Sequence, residues 1–150
     1  MRTFLLFLHI AAAGAWVGTS LTQFALLPLF RTSAPSTHAR WHLGTVALGT
    51  RVYTPAAVVI LITGVLLVTG NASFGFADAF VSLGFLTVIV GAALGMAVFG
   101  PRGRETAELL EAGDEARANA VIRRIRAFGA LDLGLVLLTI LAMVAKFGSG

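Results

Sequence analysis

The sequence contains no cysteine. Disulfides, thiolate metal sites, iron–sulfur ligation and a cysteine nucleophile are therefore excluded. Charge is scarce as well: Asp, Glu, Lys and Arg together make up 12% of the 150 residues, about half the share found in soluble domains. Lys146 is the only lysine and Tyr53 the only tyrosine. There is no phosphate-binding glycine loop, no GxSxG, no HExxH and no interleaving of aromatic and basic residues. Nucleic acid is thus not an expected partner, although Lys and Arg outnumber Asp and Glu by eleven to seven.

What is present is apolar, and it comes in runs. Positions 3–30, 52–77 and 79–101 carry no charge, and between Arg126 and Lys146 the only charge is Asp132. A chain this short cannot bury four such runs in a water-soluble core. Crossing the hydrocarbon layer takes roughly 20 apolar residues in an α-helix. The expected fold is therefore all-α: an integral membrane four-helix bundle forming a single domain, with spans near 3–30, 52–70 (with a helical lead-in from 37), 79–99 and 127–147. The start resembles a signal peptide, with Arg2, an apolar run and Ala11-Ala12-Ala13. The run continues to Phe30, however, and is read as a retained first span.

The connections complete this outline. Arg31–Ser36 is a polar linker, and Trp41 and Tyr53 suit an aromatic belt around the start of span two. Pro55 is placed to kink that span. Gly100-Pro101 is expected to close span three. Segment 102–126 sets Leu109, Leu110, Val121, Ile122 and Ile125 among charges, the pattern of an amphipathic helix broken at Gly113-Asp114, with Asp114 as the N-cap of the next helix. Segments 31–51 and 102–126 hold nine of the eleven basic residues. The excess of positive charge in cytoplasmic loops then puts both termini outside and both long connections in the cytoplasm. The two halves of the chain show no convincing residue-level repeat. Asn71-Ala72-Ser73 is formally a glycosylation triplet of a kind common by chance.

Span one carries the most chemistry. At 100° per residue His9, Ala13, Trp16, Ser20 and Gln23 fall within about 80° of one another. Lipid cannot satisfy such a stripe, so it is expected to face protein or a cavity. Gly14 and Gly18, and in span three Gly91 and Gly95, form small-residue faces suited to close helix packing. His9 lies about 9 Å in from the outer end of span one and on the order of 25 Å from His42, too far for the two to share a metal or haem iron. Met143, about 4–5 Å in from Lys146 on the same side, can approach the level of His9. These positions point to a His/Met site for haem b or copper, with Trp16 beside it and Ser20 and Gln23 extending the pocket stripe. The plain alternative is that His9 bonds a neighbouring hydroxyl and Met143 only packs. Arg51 and Asp132 lie at similar depth and are expected to form a structural ion pair, with a proton relay as the alternative. His38 and His42, spaced i and i+4, are read as an interfacial polar pair.

The segment from Leu8-His9-Ile10 to Trp16-Val17-Gly18 resembles the first helix of small bacterial membrane proteins that include the CopD-like copper-resistance domain and the HemJ-type protoporphyrinogen oxidase. It most resembles a four-helix family of predicted integral membrane proteins, as do Gly113-Asp114, Arg123-Arg124, Gly129, Leu131-Asp132 and Met143-Val144 before Lys146. The resemblance implies that His9 is a haem or metal ligand. HemJ-type enzymes also use a lysine within a later helix, whereas Lys146 stands at a helix end. Three functions are carried forward: a haem- or metal-binding membrane protein with a redox or metal-handling role, an accessory subunit of a larger respiratory or photosynthetic membrane complex, and a small oligomeric transporter or channel. No catalytic residue is assigned.

Overall fold

A computed structural model describes residues 1–70 and 73–146. Asn71 and Ala72 of the glycosylation triplet, and Phe147 at the expected end of span four, lie outside the described residues. Four helices are long and apolar enough to cross a membrane: α1 (Arg2–Arg31), α2 (Pro35–Thr69), α3 (Ala79–Glu111) and α4 (Glu115–Ala145). At 1.5 Å per residue α2, α3 and α4 are each about 45–50 Å long, well beyond the roughly 30 Å of the hydrocarbon layer. Their charged parts therefore extend past it at one end, called here the basic end. The other end holds Met1 and Lys146.

Many large apolar side chains stay exposed while several polar ones are buried. Phe4, Phe7, Ile10, Ile62, Ile89, Leu138 and Val144 are exposed, while Ser20, Thr63, Thr87, Asp132 and Thr139 are buried. Lipid is as good a solvent for leucine as a protein core, so apolar side chains gain nothing from turning inward. Polar groups have no partner outside and are sequestered between helices.

The segment after span three is an amphipathic helix broken at Gly113, as expected, but Gly100-Pro101 does not part it from span three. Helix α3 runs through both residues to Glu111, and α4 starts after three intervening residues. The turn between them is a compact C-cap. Gly113 takes the left-handed conformation at φ 78°, its N–H reaches the Leu110 carbonyl, and that of Asp114 reaches Leu109. This is the double bond pattern of a glycine-terminated helix. Asp114 then caps α4 by accepting from the Arg117 N–H at 3.1 Å, as its sequence position leads one to expect. The extension of α3 packs on the lead-in of α2 and the first turns of α4. Ala39, Ala107, Leu110 and Ala118 form a small core there, and Gly103 lets Val46 and the His42 carbonyl come close.

A match between spans two and three, not evident from sequence alone, emerges from their backbones. Gly49–Tyr53 and Gly95–Phe99 are both π-helical turns, and both precede a proline, Pro55 and Pro101. The two segments share Gly-x-x-Val-aromatic-x-Pro. A proline donates no hydrogen bond and crowds the preceding turn. In each case the widened turn answers this, with the Thr54 N–H bonding to Gly49 and the Gly100 N–H to Gly95, five residues back. Below these turns α2 and α3 stay together. Above them α2 packs chiefly on α1 and α3 on α4, which leaves room between the pairs.

Candidate functional site

That room is a cavity of about 190 Å³, lined by residues of all four helices and by Phe74. His9, Trp16 and Met143 all line it, together with Thr87, Thr139 and Gly84. The lining is otherwise apolar.

His9 reaches α2, where its Nδ1 lies 2.9 Å from Thr63 Oγ1. The Thr63 hydroxyl is itself 2.5 Å from the Val59 carbonyl oxygen, and two oxygens approach that closely only with a hydrogen between them. Thr63 thus donates to Val59 and accepts from His9. This arrangement suits an imidazole protonated on Nδ1, a tautomer that would leave the Nε2 lone pair for another partner. A metal-binding histidine is held this way, its second nitrogen donating to an oxygen that orients the ring. The ring edge lies beside Gly64, where a Cβ would stand in ordinary contact 3.5 Å from His9 Cε1.

The Met143 methyl fits over Gly84, where a built Cβ would lie 2.6 Å from Met143 Cε. Beside it the Thr87 and Thr139 hydroxyls share a hydrogen bond at 2.6 Å, and the hydroxyl that accepts there is free to donate to a carbonyl of its own helix. His9 and Met143 are thus both placed on one cavity, each next to a glycine of the facing helix.

Toward the basic end Trp16 donates its indole N–H to Asp132 Oδ2 at 3.1 Å. Its ring meets Tyr53 edge-on at a centroid distance of 5.5 Å. The lower part of the stripe converges on the Tyr53 hydroxyl, which accepts from Gln23 Nε2 at 2.7 Å and shares a hydrogen bond with Ser20 Oγ at 2.9 Å. Tyr53 is therefore a half-buried polar junction. Trp41 stacks on Phe30 at 4.3 Å.

The expected Arg51–Asp132 ion pair does not form. Arg51 is exposed, Asp132 is buried, and Trp16 is the partner of Asp132. Among the described residues the ion pairs are Arg102–Glu105 and Arg117–Asp114, both local to one helix end. Equal depth was not enough, because Arg51 points outward from its π-turn. The glycine faces also divide. Gly91 is pressed against Trp16, while Gly14, Gly18 and Gly95 meet no neighbouring atom within 4 Å.

His38 and His42 lie in the lead-in of α2, outside the apolar span. Both are buried, with their Nε2 atoms 3.3 Å apart, so they form a buried contact rather than an interfacial pair. Burial and then the Arg31 charge lower the His38 pKa, partly offset by Glu115. Burial, with His38 adding to it, lowers that of His42 to about 4. Both imidazoles are neutral at pH 7.

Thr63, Tyr53, Gly84 and Gly91 complete this geometry. Threonines within apolar spans give little signal, because each can satisfy its hydroxyl on its own helix. Among the described residues no three His, Asp or Glu side chains are grouped closely enough to hold a metal ion. Compared with family models, curated proteins and solved structures, the chain matches none.

Proposed function

We propose that this chain is an integral membrane protein of a bacterial plasma membrane that binds a soft metal ion, copper(I), through His9 Nε2 and the Met143 thioether. The observation that carries the reading is the setting of His9: its Nδ1 lies 2.9 Å from Thr63 Oγ1, and its ring lines a cavity that Met143 also lines. Thioether and imidazole donors suit copper(I), whereas harder divalent ions favour carboxylates and carbonyls. Both termini are placed outside and the basic end in the cytoplasm, because nine of the eleven Lys and Arg residues lie in segments 31–51 and 102–126.

Cavity size argues for the ion over haem b. A space of about 190 Å³ is only a little larger than an engineered cavity of about 150 Å³ that admits benzene. A porphyrin would have to push α1 and α4 apart.

Full-length protein, purified in detergent under reducing and anaerobic conditions, tests this against a chromophoric copper(I) chelator. The expected result is one copper(I) per chain, lost in His9→Ala and weakened in Met143→Leu. A Soret band in the purified protein would replace copper by haem, and protein binding neither would overturn the reading. A second reading, an accessory subunit or homo-oligomer, is supported by Gly14 and Gly18, where an added Cβ would meet no atom of the chain within 4 Å. Purification as a lone monomer would count against it. The transporter reading has no comparable support, since Ser20 and Gln23 are engaged by Tyr53.

A further inference from the structure

Asp132 is 5% exposed, yet its Oδ1 atom has no hydrogen-bond partner, the only such buried side-chain polar atom among the described residues. The carboxyl group holds one bond, from Trp16 to Oδ2. As a carboxylate it lacks a second donor. As a neutral acid it would carry an O–H without an acceptor. Neither state is fully satisfied, so neither is strongly locked. Space around the free oxygen is kept by Gly91, where a Cβ would come within 3.2 Å of Oδ1.

The surroundings are suited to proton exchange. Asp132 lies about 9 Å along α4 from Arg126 at the basic end. Between that end and Trp16 lies the Gln23–Tyr53–Ser20 hydrogen-bonded cluster. Facing Asp132, α1 contributes Trp16, with His9 two turns farther up. Helix α2 contributes Tyr53, and α3 presents Gly91, which does not titrate. On α4 itself the residues one turn away, Phe128, Gly129, Leu135 and Val136, do not titrate either.

We propose that Asp132 is a reversible proton-binding site at membrane depth, loaded from the basic end, whose charge state is passed through Trp16 to the wall of the cavity. One proton adds to Oδ1 and leaves from it, and no electrons move. The indole N–H bond is stronger to a carboxylate than to a neutral acid, so protonation loosens Trp16. Because Trp16 also lines the cavity, occupancy of the cavity and protonation of Asp132 are linked, each shifting the other. The proton site stands on Asp132 and Trp16 alone and does not depend on the ligand that the cavity takes.

The test uses full-length protein in detergent with Trp41→Phe, which makes Trp16 the only tryptophan, without added metal. Trp16 fluorescence and the infrared carboxyl band are followed against pH. A one-proton fluorescence transition is expected, accompanied by a carboxyl C=O band at the high frequency of a buried acid. Both should disappear in Asp132→Asn, return in Asp132→Glu and persist in His9→Ala. A transition that survives Asp132→Asn, or one lost in His9→Ala, would overturn the proposal. If Asp132→Asn fails to fold, the infrared titration of the parent protein decides, and absence of a pH-dependent buried-acid band overturns it. A metal-free preparation leaves these outcomes unchanged, so a failure here is separable from failure of the copper reading.

Discussion

The indole N–H of Trp16 donates to the Asp132 carboxylate across 116 positions of sequence. This bond ties α1 to α4 at the floor of the cavity, and the Trp16 ring lies against Gly91 of α3. Three helices thus meet at one side chain.

Gly91→Ala should be damaging. The added Cβ would stand 2.6 Å and 2.8 Å from two indole carbons, and an indole held by Asp132 and Tyr53 has little freedom to yield. Overpacking of this kind costs about 1–3 kcal/mol. Thermal unfolding in detergent should show it, while Gly14→Ala and Gly18→Ala, with open space at each position, should unfold close to the parent.

Trp16→Phe keeps much of the ring and removes the donor. Asp132 would then have no hydrogen bond, and an unsatisfied buried polar group costs about 1–3 kcal/mol. The double variant with Asp132→Leu should recover part of the loss. Additive losses in that cycle would mean that the bond contributes nothing.

Thr63→Val leaves the cavity and His9 in place but removes the acceptor for Nδ1–H. Loss of such an orienting partner typically lowers metal affinity roughly 10–100-fold. Chelator competition should find copper(I) binding weakened to that extent, with one ion per chain retained. Unchanged affinity would show that Thr63 does not orient the ligand.

The layer at the basic end should be sensitive to acid. His42 has a pKa of about 4 in the folded protein against about 6.5 unfolded. The unfolded state therefore binds the extra proton first, and stability is lost as pH falls from about 6.5 toward 4. A shift of that size is on the order of 3 kcal/mol. Hydrogen exchange of amides in 35–48 and 100–118 should accelerate over this window, and His42→Gln should flatten the dependence.

Much of this architecture was legible in the residues themselves. Apolar run length and the distribution of Lys and Arg are local properties, and so is the cap at Asp114, which needs only the turn around it. The stripe from His9 to Gln23 was readable because helical spacing alone puts those residues on one face. What could not be read was which partner each stripe residue meets. Arg51 and Asp132 match in depth, yet the rotation of α2 about its axis turns Arg51 outward. The extension of α3 past Gly100-Pro101 was also hidden, because a π-turn absorbs a proline that would otherwise mark a helix end.

That four helices are long and apolar enough to cross a membrane was thus decided by the sequence alone, since run length and charge are local properties. The site was decided by tertiary structure. The direction of the Thr63 hydroxyl, the room over Gly84 and Gly91, and the divergence of α2 from α3 set how His9, Met143 and Asp132 are held. Each depends on helix rotation and spacing, which arise from contacts between residues far apart in the chain.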